Sequence, residues 1–275
     1  MAFFQGGARL SPVFSDLGIL AAGALVGGVL GLVGGGGSVL AVPLLVYGVG
    51  VDSAHVAIGT SAVAVSINAL ANLAAHGRAG NVKWGCASVF SAAGVVGAWI
   101  GSSFAKVLDG HRLLMLFGAM MIVVGAATLR PPLRPERPDV RLSRESAGRL
   151  LPPLIGMGRG VGALSGFFGI GGGFLIVPAI MAATGMPIIA AIGTSLVSVA
   201  AFGATTAANY ALSGLVDWRI AALFVAGGFA GGYLGVTGGK ALAGRKNALR
   251  LVFGILVIAV GLYVCGRAIM QIMGA

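Results

Sequence analysis

Apolar residues run almost unbroken over 17–49 and again over 56–75, 84–107 and 113–129, with short polar stretches between them. A hydrocarbon core about 30 Å thick takes roughly 20 apolar residues of helix, so each of the last three runs predicts one crossing. The first run, about 33 residues, is too long for one upright span and too short for two. It is interrupted by Gly34, Gly35, Gly36, Gly37 and Ser38, then by Pro43. Glycine costs about 1 kcal/mol and proline about 3 kcal/mol in a helix interior, so the helix is expected to break here. Two half-length limbs would remain, a V that enters the membrane, turns near the midplane and leaves on the same side.

The pattern then recurs. The glycine cluster and Pro43 are answered by Gly169, Ile170, Gly171, Gly172, Gly173 and Pro178. Ile58-Gly59-Thr60-Ser61 is answered by Ile192-Gly193-Thr194-Ser195, Val82-Lys83-Trp84 by Val216-Asp217-Trp218, and Phe117-Gly118 by Phe253-Gly254, at offsets of 134 to 136 residues. So regular an offset predicts a duplication. The expected organisation is an all-α polytopic membrane protein with repeats at 17–129 and 151–267, each with four elements and opening on a V. Between them lies a linker, 130–150, rich in arginine and proline. A V plus three crossings is an odd number, which makes the repeats inverted. Lys and Arg placement barely separates this from parallel repeats, but inverted repeats with broken helices at the midplane are a recurrent transporter solution. Both arrangements put the arginine-rich linker in the cytoplasm.

Composition excludes the soluble alternative. The chain is 57% hydrophobic and only 9% charged, too little charge to cover a soluble domain, with a mean hydropathy of +1.00. Its 49 glycines suit close helix approach. The net charge of +11 does not point to nucleic acid, because the basic residues sit between the apolar runs and read as topology signals. Trp84 beside Lys83 is an interfacial anchor. Cys86 and Cys265 are not equivalently placed and read as packing residues. No cleavable leader pattern precedes the first run, so that run is expected to direct insertion into a cell membrane, here the bacterial inner membrane. Small-residue faces such as Gly94 with Ala98, or Gly227 with Gly231, suit either packing within the chain or a homodimer.

The paired glycine-rich segments ending in Pro43 and Pro178, each followed by an Ile-Gly-Thr-Ser helix, resemble the TauE/SafE sulfite exporter family over residues 18–265. The second segment is the nearer match; the first departs from it at Gly35 and Ser38. The resemblance implies a transporter of sulfite, sulfonates or related small anions, usually moving them outward.

Helix physics independently favours an anion. In a V, the second limb starts just after the glycines, so its unpaired N–H groups and about half a positive charge point toward the membrane centre. Candidate substrate-binding residues are therefore Gly34, Gly35, Gly36, Gly37, Ser38, Gly169, Gly171, Gly172 and Gly173, with Pro43 and Pro178 structural. The other reading is that these glycines serve helix crossing only. Ser61, Asn68 and Asn72 lie within about 40° on an ideal helix. With Thr60, Thr194, Ser195, Thr206 and Asn209 they offer donors to an oxyanion or, alternatively, interhelical hydrogen bonds. Arg78 and Arg159 would guide an anion or else serve topology and snorkelling.

Every acidic residue falls at a segment end or in the linker, so proton coupling would rely on His55, His76, an end residue such as Asp52, or the substrate's own proton. There is no P-loop, no metal or cofactor spacing and no nucleophile with a base in the spans, so enzyme chemistry is not expected. The alternatives kept beside export are import of a related small anion and a packing or assembly protein without transport.

Overall fold

The first apolar run folds as two limbs of unequal length. α1 (Pro12–Val33) has 22 residues, about 33 Å of helix, and the chain returns through a 3-10 stretch (Gly35–Leu40), one α turn, α2 (Ala41–Pro43), and a π-helical turn (Leu44–Val49). The second half does the same with α6 (Arg144–Phe168), 25 residues, and α7 (Gly173–Thr184), 12 residues. The expectation of two half-length limbs therefore holds only for the returning limb. The outgoing limbs keep their glycines in regular helix because those glycines seat a neighbouring helix, as described below. Pro178 lies inside α7 without ending it, so the break belongs to the glycines: Gly169, Gly171 and Gly172 have φ of +67°, +61° and +65°.

This computed structural model describes residues 12–33, 35–129, 140, 142–169, 171–241 and 246–273. Gly34 and Ile170 lie outside the described residues, as does most of the linker. α6 begins at Arg144, inside the stretch expected to be linker, because Ser143 and Ser146 cap it reciprocally through side-chain and backbone bonds of 2.8 and 3.3 Å. The remaining helices are α3 (Ala54–Arg78), α4 (Trp84–Ala105), α5 (Gly110–Leu129), α8 (Ile188–Ala211), α9 (Trp218–Ala241) and α10 (Lys246–Met273). Among the described residues, α3, α4, α5, α8 and the Gly254–Gln271 part of α10 are long and apolar enough to cross a membrane.

Residue pairings fix the helix directions. Gly23 meets Phe224 and Gly27 meets Gly228, and Asp16 pairs with Arg219 at 2.9 Å, so α1 and α9 run in parallel. Gly94 meets Gly158, and Gly101 meets Ala163 and Phe167, so α4 and α6 are parallel too. α3 and α8 are antiparallel: Gly59 lies at Tyr210, Ser66 donates to the Ala200 carbonyl at 2.8 Å, and Gly193 lies at Asn81. α5 and α10 are also antiparallel, with Gly118 at Gly261, Gly125 at Gly254 and His111 at Gln271.

The parallel pairs are backbone-on-backbone seams. A Cβ added at Gly162 would stand 2.6 Å from Gly94 Cα, one at Gly166 2.7 Å from Ala98 Cα, and one at Gly231 2.7 Å from Ala24 Cα. Lipid gives helices no hydrophobic reason to associate, so such close approach supplies the packing energy. The small faces at Gly94 with Ala98 and at Gly227 with Gly231 are used inside the chain, against α6 and α1.

Substitution on α6 should therefore separate by face. Gly162→Leu is expected to destabilise by about 1–3 kcal/mol or more through overpacking, whereas Gly160→Ala, where nothing lies within 4 Å, should stabilise by up to about 1 kcal/mol. Thermal unfolding of the two detergent-purified variants checks this, with opposite shifts expected.

Candidate functional site

The glycine break of the second half sits at half-height in the helix bundle. A Cβ on Gly171 would stand 3.1 Å from both Val65 and Val199, which lie at the middle of α3 and α8. α7 thus begins at mid-depth. The Leu175 and Ile176 N–H groups both bond to the Gly172 carbonyl at 2.9 Å, and the N–H groups of Gly173 and Phe174 stand ahead of these first bonds. Beside them is Ser165, fully buried on α6, whose Oγ has no partner. A Cβ at position 172 would lie 2.7 Å from that Oγ, so Ser165 faces the break directly. An unpaired buried hydroxyl costs about 1–3 kcal/mol, which a ligand oxygen at the α7 N-terminus would recover. Nothing in the sequence singled out Ser165. The residue 135 positions earlier is Leu30, so the expected repeat spacing gives no signal there.

In the first half, Gly37 turns against α1, where a Cβ would meet the Val26 carbonyl oxygen at 2.8 Å, and Ser38 is fully buried. The limb that follows starts as a 3-10 stretch and holds a single α turn before the π turn, so its N-terminus carries a weaker helix dipole than that of α7.

The predicted hydroxyls take up structural bonds in a repeated pattern. Thr60 Oγ1 accepts the Asp217 N–H at 2.9 Å and Thr194 Oγ1 accepts the Lys83 N–H at 3.0 Å, each closing the entry to a helix of the opposite half. Ser61 donates to the Ile58 carbonyl at 3.0 Å and Ser195 to the Ile192 carbonyl at 2.8 Å. Asn209 lies at the far end of α8. Its Nδ2 donates to Ser102 Oγ at 2.6 Å and Ser103 Oγ at 2.9 Å, while its Oδ1 accepts from Lys106 Nζ at 2.7 Å. Thr206 is fully buried and its hydroxyl has no partner. Asn68 and Asn72 face Gly228 and Gly232 of α9.

The family described as "Sulfite exporter TauE/SafE" matches residues 19–264. The chain belongs to the TauE/SafE sulfite exporter family. Among TauE/SafE relatives, a "Probable membrane transporter protein" of Xylella fastidiosa (strain Temecula1) is 50% identical over 249 residues, covering 90% of this chain and 94% of the relative. The "Probable membrane transporter protein YunE" of Bacillus subtilis (strain 168) is 27% identical over 256 residues, 87% and 93% of the two chains. A "Probable membrane transporter protein MJ0441" of Methanocaldococcus jannaschii is 30% identical over 182 residues, 62% and 65% of the two. No solved structure matches the chain. Membership in the TauE/SafE family, with the helices long enough to cross, makes the chain a multi-pass membrane transporter protein.

The charged candidates of this TauE/SafE chain lie away from the break. Arg78 is exposed in the last turn of α3, and Arg159 is exposed on α6, level with Gly97 of α4. His55 Nε2 lies 3.1 Å from the Leu108 carbonyl, tying the start of α3 to the turn between α4 and α5.

Because Thr60 and Thr194 each satisfy a helix-entry N–H, Thr60→Val and Thr194→Val should each cost about 0.5–2 kcal/mol, read as a lowered Tm. At separate sites, the two losses should add in the double variant.

Proposed function

We propose that this protein is a secondary transporter or facilitator of a small sulfur-containing anion, such as sulfite or a sulfonate, exporting it across the bacterial inner membrane. The observation that carries the reading is the start of α7 at mid-depth, where left-handed glycines bring the backbone of the helix N-terminus beside the unpartnered Ser165 hydroxyl. The anion's oxygens accept from Gly173 and Phe174 N–H and from Ser165 O–H, and the positive end of α7 balances part of its charge. Glycine at 171 and 172 lets the ligand reach the backbone with no Cβ in the way. Charge-assisted bonds of this kind contribute about 1.5–3 kcal/mol each, so a few of them make a site weak enough to release its ligand on either face.

The two inverted repeats, 17–129 and 151–267, interlace, and exposure of this site then alternates by rocking of the pairs they share, α1 with α9 and α4 with α6, about the α3–α8 centre. Inversion is supported by the antiparallel α3 with α8 and α5 with α10, helices in equivalent positions of the two halves. The exchanged pairing of α1 with α9 and α6 with α4 fits the same two-fold relation. The arginine-rich linker 130–150 is on the cytoplasmic face.

Labelled sulfite flux in proteoliposomes tests this, with sulfate, thiosulfate and a small sulfonate as competitors. Ser165→Ala, which deletes one unpaired hydroxyl, should keep or raise the Tm and lower flux about tenfold, the equivalent of about 1.4 kcal/mol. Gly172→Leu should abolish flux. If the folded wild-type protein moves none of these anions under an imposed potential or pH gradient, the sulfur-anion reading is overturned.

A further inference from the structure

Two equivalent notches in the bundle are filled by different chemistry. Gly228 of α9 faces residue 68 of α3, and Gly94 of α4 faces residue 202 of α8, positions related by the same offset of 134 residues. In one notch the Phe202 ring lies over Gly94 and stacks on Phe90 with centroids 6.2 Å apart. In the other, the Asn68 amide takes the place of the ring. Asn68 is 1% exposed, and neither its Nδ2 nor its Oδ1 has a partner. Asn72 does not relieve it, since its own Nδ2 donates to the Asn68 backbone carbonyl at 2.9 Å. Val65, one turn earlier on α3, faces Gly171, so Asn68 stands one helical turn along α3 from the level of the glycine break.

We propose that Asn68 is a specificity-determining residue of the anion path and selects small anions that carry a hydrogen-bond donor as well as acceptor oxygens. The inference rests on the anion-transport reading and names its substrate class: hydrogen sulfite, or a sulfonate bearing a hydroxyl or ammonium group, over a fully deprotonated oxyanion such as sulfate. A primary amide presents N–H donors and a carbonyl acceptor side by side. A bare oxyanion satisfies the donors and sets a negative oxygen against Oδ1, whereas a donor-bearing anion satisfies both. The equivalent notch is closed by Phe202 and contributes no polar contact, so selection acts from one wall.

Competition against labelled sulfite flux by ethanesulfonate and by 2-hydroxyethanesulfonate, which differ by one hydroxyl, tests the proposal in wild type, Asn68→Leu and Asn68→Ser. The wild type should favour the hydroxylated anion at least about tenfold, because a site built to pair a hydroxyl leaves its partner unpaired with the analogue that lacks it. Leu, close to Asn in volume, removes an unpaired amide, so Asn68→Leu should keep or raise the Tm while its preference falls to within about twofold. Asn68→Ser, which keeps a donor and an acceptor, should retain part of it. A wild type that treats the two sulfonates alike overturns the proposal, whatever the variants do, and so does Asn68→Leu with its preference intact. A wild type that moves sulfite yet lacks the preference leaves the transport reading standing; one inert toward every anion takes both readings down.

Discussion

A backbone N–H or C=O without a partner costs several kcal/mol in lipid, and the whole arrangement depends on that cost. Irregular chain at mid-depth survives only where protein surrounds it. Here α3 and α8 meet over the second break through Val65 and Val199, and Ile58 covers Gly169. The break is therefore flanked by α3 and α8, and the Ser165 hydroxyl beside it is left without a partner, which is the feature the proposed anion site uses. The same enclosure explains why α3 and α8 carry so many fully buried small and polar residues along their length.

The outgoing limbs solve a different problem. α1 and α6 must pass most of the membrane beside a partner helix with little side-chain material to interdigitate, and they do it by bringing backbone to within contact of backbone. Parallel α1 with α9 and parallel α4 with α6 make two closely packed outer pairs, and antiparallel α3 with α8 forms the centre between them. The two outer pairs each join helices from different halves. A boundary drawn in sequence at the linker is thus not a boundary between bodies in space.

Much of this was legible in the sequence because it rests on pattern. Apolar run lengths marked α3, α4 and α5 to within a few residues, and the glycine clusters marked where the chain turns back. Pattern failed where a partner decides. α1 looked half-length because only the apolar residues from 17 to the glycine break were counted, whereas the helix starts at Pro12 and is held along α9 by contacts at Gly23, Gly27 and Gly28. Thr60 and Thr194 were singled out as donors near the break, yet each hydroxyl accepts a backbone N–H from the opposite half, a pairing no local window contains. Ser165 was invisible for a related reason: its meaning comes from facing Gly172 after the chain has turned, and its repeat partner is apolar. Asn209 looked like part of the α8 polar face and is held by Lys106 across 103 residues of sequence.

The bond from Lys83 N–H to Thr194 has a consequence for biogenesis. The acceptor that completes the entry to α4 lies 111 residues further along the chain. At synthesis rates of about 5–20 residues per second, α4 is made on the order of ten seconds before that acceptor exists. α1 must wait longer still for α9. The amino-terminal half therefore enters the bilayer as an unfinished guest, and its helices are sorted into place only when the carboxy-terminal half arrives to claim them.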